Sequence, residues 1–271
     1  MASNRKFRLH GKHVIVTGAT GGLGRAMVKR LVEQYHCRVL GIGRNEAILK
    51  EQAENFDGSF LYRVMDVSDR DAWKALAAFA EEGGFEPDVL INNAGILPPF
   101  APFGAYSPEE VESAVGVNVV SVLYGTQVFL PLFLAKKGTA IVNISSSDAL
   151  CPLAGTSVYT AGKAGVMAFS EALREEYRGR VYVPAVCPGF IRTGIMQYQK
   201  KAVSPLVHHA SMSPDRAARI LLRRVNASRS RIVIGADAHL MSAAYRIAPV
   251  LAPRFFRFLL KASRLELFSD L

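Results

Sequence analysis

The sequence predicts an α/β fold built on one doubly wound parallel sheet, on three observations. Short apolar runs alternate with helical stretches along most of the chain. Those runs are continuously apolar, as strands covered on both faces are, and do not alternate with polar residues. The composition is that of a globular chain: of 271 residues, 50% are hydrophobic and 21% charged. That disfavours disordered, collagen-like and coiled-coil readings, and a chain of this length can bury roughly 70–75% of its extended surface in one core.

The elements follow in order. His13–Thr17 is an apolar run that breaks at Gly18, and a helical pattern runs from Gly22 to Tyr35. The β-like run Arg38–Gly43 precedes the polar Asn45–Asn55, and Phe60–Met65 comes next. Asp69–Glu82 opens with acidic residues, as a helix N-terminus prefers. Val89–Asn92, Thr139–Ser145, Val181–Cys187 and Arg231–Gly235 continue the strand series. The stretch Ser113–Ala135 has no charge over 23 residues, long enough to span a bilayer. It holds Asn118, Ser121, Thr126, Gln127 and Pro131 between strand-like runs, which favours a helix buried in the core or in a subunit interface. There is no internal repeat and no low-complexity linker. The expected organisation is one domain over 1–235 and a C-terminal extension over 236–271.

The net charge of +10 is uneven: residues 1–199 carry 20 Lys/Arg against 19 Asp/Glu, and residues 200–271 carry 13 against 4. Overall basicity suggests nucleic acid, but no recognisable motif accompanies it, and nucleic acid is not an expected partner. Cys37, Cys151 and Cys187 are too few and too scattered for a disulfide framework or a zinc site, which points to a reducing, cytoplasmic setting. The first ten residues lack the apolar run of a secretory signal. His208 and His209 are adjacent, so they point to opposite sides, and no metal site is expected there.

The first strand ends in Thr17-Gly18-Ala19-Thr20-Gly21-Gly22-Leu23-Gly24, directly before a helix. Glycines there allow a tight turn, a close phosphate and close helix packing, with the helix N-terminus facing a pyrophosphate. The second strand ends in Gly43-Arg44-Asn45, where an acid would be needed to hold ribose hydroxyls. Arg44, twenty residues past Gly24, suits a 2′-phosphate instead.

These pieces, together with Asn92-Asn93-Ala94-Gly95, Asn118, Ser146, Tyr159-Thr-Ala-Gly-Lys163 and Pro188-Gly189, resemble the classical short-chain dehydrogenase/reductase pattern. Tyr-x-x-x-Lys alone occurs often by chance; six motifs in this order, with Ser146 thirteen residues before Tyr159, do not. The resemblance covers about Lys12 to Ile234 and implies a Rossmann fold, a nicotinamide cofactor and a homo-oligomer, dimer or tetramer.

Tyr159 and Lys163 are one helical turn apart and share a face. A free tyrosine has a pKa near ~10, and an ammonium close by favours the phenolate, so Tyr159 can exchange a proton with a carbonyl or alcohol oxygen. By resemblance, Ser146 bonds the substrate oxygen, Lys163 also holds the nicotinamide ribose, and Asn118 holds a water that connects Lys163 to solvent. The same resemblance places Asp66 and Val67 at the adenine, and Asn92, Asn93, Ala94 and Gly95 along the adenosine. It places Ile191 and Thr193, in the run that opens with the cofactor-site residues Pro188 and Gly189, near the nicotinamide amide. With Thr17, Gly18, Thr20, Gly21, Gly22, Leu23, Gly24, Arg44 and Asn45 they make up the expected cofactor site, with NADP(H) preferred over NAD(H). The expected activity is ketone or aldehyde interconversion with an alcohol. Alternatives are a 3-oxoacyl-thioester reductase and a non-catalytic cofactor-sensing or scaffold protein.

The region Gly194–Ser213 contains Ile195, Met196, Tyr198, Val203, Leu206, Val207 and Met212 and no acid, which favours an apolar substrate of lipid, steroid or retinoid type. Lys200 and Lys201 either hold an anionic group or are simply solvated, and Cys151 either touches substrate or packs. Beyond the last strand the chain continues past the point where reductases of fatty-acid synthesis end. Arg254, Arg257, Lys261 and Arg264 form one stripe, and Phe255, Phe258, Leu259 and Ala262 another face with Phe256 and Leu260 on its flanks. Pro253 suits the first turn of such a helix. Two readings stay open for residues 250–264: an apolar face docked on the body or a partner subunit, and a peripheral membrane contact.

Overall fold

The computed structural model describes residues 6–82, 85–193 and 211–262. Its centre is an eight-stranded sheet: β1 His13–Thr17, β2 Arg38–Gly43, β3 Phe60–Val64, β4 Val89–Asn92, β5 Thr139–Ile144, β6 Val181–Tyr182, β7 Ala185–Pro188 and β8 Arg231–Ile234. The order is β3-β2-β1-β4-β5-β7-β8, with β6 pairing β5. Every pairing is parallel, as in Ile15 opposite Leu40 and Leu90. The expected run Val181–Cys187 is two strands, divided at Val183-Pro184. Proline has no N–H to give a ladder, although the Pro184 carbonyl still accepts from Asn143 N at 3.1 Å.

The helices are α1 Gly22–Tyr35, α2 Glu46–Asn55, α3 Arg70–Glu81, α4 Pro108–Val115, α5 Ser121–Ala135, α6 Ser157–Glu176, α7 Pro214–Asn226, α8 Ala236–Ile247 and α9 Leu251–Ala262. Several begin where the side chains dictate. Asn45 caps α2, Asp69 caps α3, and Ser107 and Glu110 form a reciprocal cap on α4 with Pro108 at its first position.

Alternate residues of β1 enter opposite halves of the core, as the two-residue period requires. Val14 and Val16 pack with Leu31 of α1 and Leu221 of α7. Ile15 packs with Trp73 of α3 and with Phe129 and Phe133 of α5. The uncharged stretch Ser113–Ala135 is thus an inward-packed helix on one side. It is interrupted at Gly116–Val120 by a wider π-type turn, and the whole Pro108–Ala135 segment is long and apolar enough to match a membrane span by length and composition.

The last helix has two apolar faces rather than the expected one. Ala252 and Phe256 cluster with Met241 of α8 and with Cys151 and Leu153. Leu251, Phe255, Phe258 and Leu259 point away from that cluster and are exposed, Phe258 by 65%. Cys151 is fully buried here, so the packing role is the one observed.

Candidate active site

The sheet reverses its strand order between β1 and β4, which opens a crevice at the carboxyl ends of the strands. Gly18 turns the chain there at φ +65°, and a Cβ on it would lie 2.9 Å from Ala94 Cα. Thr17 Oγ1 accepts from Asn93 N at 2.9 Å and Ala94 N at 3.0 Å, while Asn93 Nδ2 donates to Thr17 O at 2.9 Å. Gly24 lies so close to the turn that a Cβ would meet Gly18 O at 2.0 Å. The N-terminus of α1 carries no side-chain cap at Gly21, so its first N–H groups are open to an anion. These features fit a dinucleotide pyrophosphate.

Other expected cofactor residues gather around this turn. Thr20 packs on Gly43 and Thr193 on Gly22. Ile191 bridges Met212 and Thr193 N donates to Ile191 O, which sets the strand after Pro188 and Gly189 over the crevice. Leu23 is buried in the core, so only its backbone can face a phosphate. Val67 is buried too, its carbonyl taking the Trp73 Nε1–H at 2.8 Å. Asn92 departs from its expected place: its side chain donates to Asn143 Oδ1 at 2.8 Å inside the sheet. Asn45 spends its side-chain oxygen on Ile48 N, capping α2. Arg44 and Asp66, expected as separate ligands, face each other at 4.0 Å on the surface. Hydrogen bonds from Ser68, and secondarily the Arg44 charge, hold the Asp66 carboxyl below its usual range.

Asn118, Ser146, Tyr159 and Lys163 converge on the neighbouring part of the crevice, all buried. The π-type turn carries Asn118 inward, where Oδ1 accepts from Ile96 N at 3.1 Å and Nδ2 donates to Ile96 O at 2.8 Å. A Cβ on Gly95 would lie 3.0 Å from Asn118 Oδ1 and 3.2 Å from Lys163 Nζ, so the three meet with no space to spare. Lys163 Nζ donates to Ile144 O at 3.0 Å and stands 5.8 Å from the centre of the Tyr159 ring. Burial brings the Lys163 ammonium down to about 8.

The Lys163 ammonium, expected to favour the Tyr159 phenolate, is not among the groups that set the phenol in this structure. Burial, followed by the charge of Asp148, pushes the phenol up, and only a hydrogen bond with Ser146 opposes them. The phenol thus favours its protonated form more than a free tyrosine does.

Two acids escaped the sequence reading. Asp148 is buried beside Ser146, and Asp237 Oδ2 accepts from Phe190 N at 2.7 Å, fixing the chain just after Gly189. The one sequence signal for Asp148 was an acid at the end of an apolar strand, in Ser145-Ser146-Ser147-Asp148. His208, His209, Lys200, Lys201 and the residues expected over the substrate between 194 and 210 lie outside the described residues. Among the described residues no group of three His, Cys, Asp or Glu could hold a metal.

The short chain dehydrogenase family profile matches residues 12–204. The chain is 33% identical over 181 residues to the serine 3-dehydrogenase of Agrobacterium fabrum, covering 66% of this chain and 72% of that one. It is 29% identical over 245 residues to the 3-oxoacyl-[acyl-carrier-protein] reductase of Thermotoga maritima, covering 86% and 99%. A short chain dehydrogenase/reductase from Burkholderia phymatum, solved with NAD, shares the fold with a TM-score of 0.81 at 23% identity, covering 90% and 96%. Other fold neighbours were solved with NADP.

Proposed function

The chain belongs to the short-chain dehydrogenase family of NAD(P)-dependent oxidoreductases acting on alcohol and carbonyl groups, and from that premise we propose an NADP(H)-dependent ketone or aldehyde reductase with an apolar substrate. One observation carries the reading: Tyr159, Ser146 and Lys163 are buried together beside the crevice, with the phenol raised by burial and so suited to give a proton to a nascent alkoxide. When bound, the reduced nicotinamide supplies the hydride. Ser146 orients the substrate oxygen, Tyr159 gives it the proton, and Lys163 and Asn118 support the ribose and the return of a proton from solvent. Arg44, exposed and only loosely held by Asp66, is free to swing onto a 2′-phosphate.

The apolar substrate rests on the surroundings of the site. Phe190, half-buried just after Gly189, packs on a buried apolar cluster with Leu153, Met241 and Ala252, and the sequence over 194–213 is rich in apolar residues and carries no acid. The competing reading is a 3-oxoacyl-thioester reductase, favoured by the likeness to the Thermotoga maritima enzyme over most of both chains. A panel of a steroid ketone, retinal, a medium-chain aldehyde, a 3-oxo ester and a 3-oxoacyl thioester, with serine and 3-hydroxybutyrate in the reverse direction, separates them. Preference for the thioester overturns the apolar reading, and no turnover of any compound favours a non-catalytic protein.

Two assembly proposals accompany the activity. The outward side of α5, with Leu123, Gln127 and Pro131, carries no charge and suits a second copy of the chain. The exposed face of α9 suits an anionic membrane surface, because Arg254, Arg257 and Lys261 border its apolar residues.

A further inference from the structure

Asp148 lies two residues after Ser146, in the short turn Ser147–Ala149, and is 6% exposed. Its oxygens have different partners. Ser146 Oγ donates to Oδ1 at 3.3 Å, and Thr156 Oγ1 donates to Oδ2 at 2.9 Å. The Asp148 N–H donates back to Ser146 Oγ at 3.2 Å, so this hydroxyl is engaged at both its hydrogen and its oxygen. Thr156 is itself 3.0 Å from the Thr160 hydroxyl. The groups that hold this carboxylate are hydroxyls, not cations. Its charge reaches Tyr159 of α6 and Cys151 in the following turn. Lys163 of α6, Cys187 of β7 and Asp237 of α8 are titratable groups on the elements packed against the same turn.

We propose that Asp148 is a positioning residue whose protonation decides whether the Ser146 hydroxyl is spent on the carboxylate or freed for the substrate oxygen. The proposal rests on the catalytic reading of Ser146 and Tyr159 given above. A serine hydroxyl has one proton. Ionised Asp148 takes it, and Ser146 then shows only lone pairs to a carbonyl oxygen, acceptor against acceptor. Neutral Asp148 carries a proton of its own to give to Ser146 Oγ, and the serine proton turns to the carbonyl. Tyr159 responds to the same change. In reduction the phenol O–H breaks, its proton passes to the substrate oxygen as the hydride reaches the carbonyl carbon, and a phenolate is left. A carboxylate nearby opposes that phenolate and a neutral acid does not. Burial already pushes the Asp148 carboxyl up to about 6, and a substrate that fills the crevice removes more water from it.

The test is the pH dependence of kcat/KM for reduction with NADPH, using the carbonyl compound of the panel that the parent reduces fastest. Parent, Asp148→Asn and Thr156→Val are compared. The parent is expected to fall about tenfold per pH unit above a single transition, as one ionisation requires. In Asp148→Asn the amide can donate to Ser146 and accept from Thr156, and the low-pH rate should persist across the range. Thr156→Val removes a hydrogen bond that stabilises the carboxylate, so the fall should move to higher pH. An unchanged fall in both variants, or a flat parent profile, overturns the proposal. If Asp148→Asn does not fold, the Thr156→Val midpoint decides alone. Tyr159→Phe measured alongside separates the two layers. Turnover that survives it refutes the catalytic reading, whereas its loss with an unchanged Asp148→Asn profile refutes only the role of Asp148.

Discussion

Tyr159→Phe removes one oxygen from a buried ring and leaves the packing around Val158 and Lys163 in place, so the fold and cofactor binding should persist. Turnover should fall at least ~10²-fold, the scale of one general acid; near-normal rates would show that the proton comes from elsewhere. Arg44 tests cofactor choice. A charge-assisted phosphate contact contributes about 1.5–3 kcal/mol, so NADPH should bind more tightly than NADH, and Arg44→Asp should reverse the order of the two dissociation constants. Equal affinities in the parent would show that Arg44 keeps to Asp66. Asp148 also leaves a mark on stability. Its folded carboxyl is raised from 3.8 to about 6, so between those pH values the native state keeps a proton that the unfolded chain has released. Stability must therefore fall as pH rises through that window, by about 3 kcal/mol for this group, and denaturant unfolding of Asp148→Asn should show that much less decline. Residues whose chemistry is local were legible in the sequence: the glycine turn, Ser146, and the Tyr159 and Lys163 pair. Asp148 was not, because what gives it meaning is Thr156, eight residues on, and the burial that the fold imposes on both.

At the level of elements the strands could be read because a parallel sheet covered on both faces leaves continuous apolar runs, such as Val14–Val16 and Val89–Ile91. What escaped was the internal geometry of long runs. Pro184 splits one expected strand, and the turn at Gly116–Val120 splits the uncharged stretch and turns Asn118 toward Ile96. A hydrophobic pattern reports which side is buried, not where a backbone widens to bring an amide inward. The contact between α1 and the first turn, by contrast, follows from glycine spacing and makes a sharp prediction. Gly24→Ala would set a methyl 2.0 Å from the Gly18 carbonyl oxygen, and neither backbone can yield without moving the helix. Overpacking of this kind costs about 1–3 kcal/mol, and the shifted α1 N-terminus should weaken NADPH binding as well. Thermal unfolding together with a cofactor titration checks both; a variant with parental values in each would mean that α1 is not tied to the turn.

For the whole molecule, the outstanding question is what meets the outer side of α9. Going round the helix, Ala252 and Phe256 lie on the body, Arg254, Arg257 and Lys261 follow, and Leu251, Phe255, Phe258 and Leu259 complete the circle in water. The docked reading and the membrane reading of the sequence are therefore compatible, each using a different face. A second copy of the chain is a poor occupant if it meets this helix with its own, since the two cationic stripes would repel, whereas anionic lipid answers both the charge and the apolar residues. Each cation near such a surface contributes about 1 kcal/mol, so replacing Arg254, Arg257 and Lys261 with Gln should weaken binding roughly 150-fold. Phe255→Ser with Phe258→Ser should weaken it as well, without disturbing Ala252 and Phe256. Co-sedimentation with phosphatidylserine vesicles and with neutral phosphatidylcholine vesicles at low salt measures this. The parent should pellet with the anionic vesicles only, and both variants should shift to the supernatant. A parent that stays in the supernatant with anionic vesicles rules out the membrane. If it instead elutes as an oligomer that Phe255→Ser with Phe258→Ser dissociates, the outer face of α9 is a subunit interface.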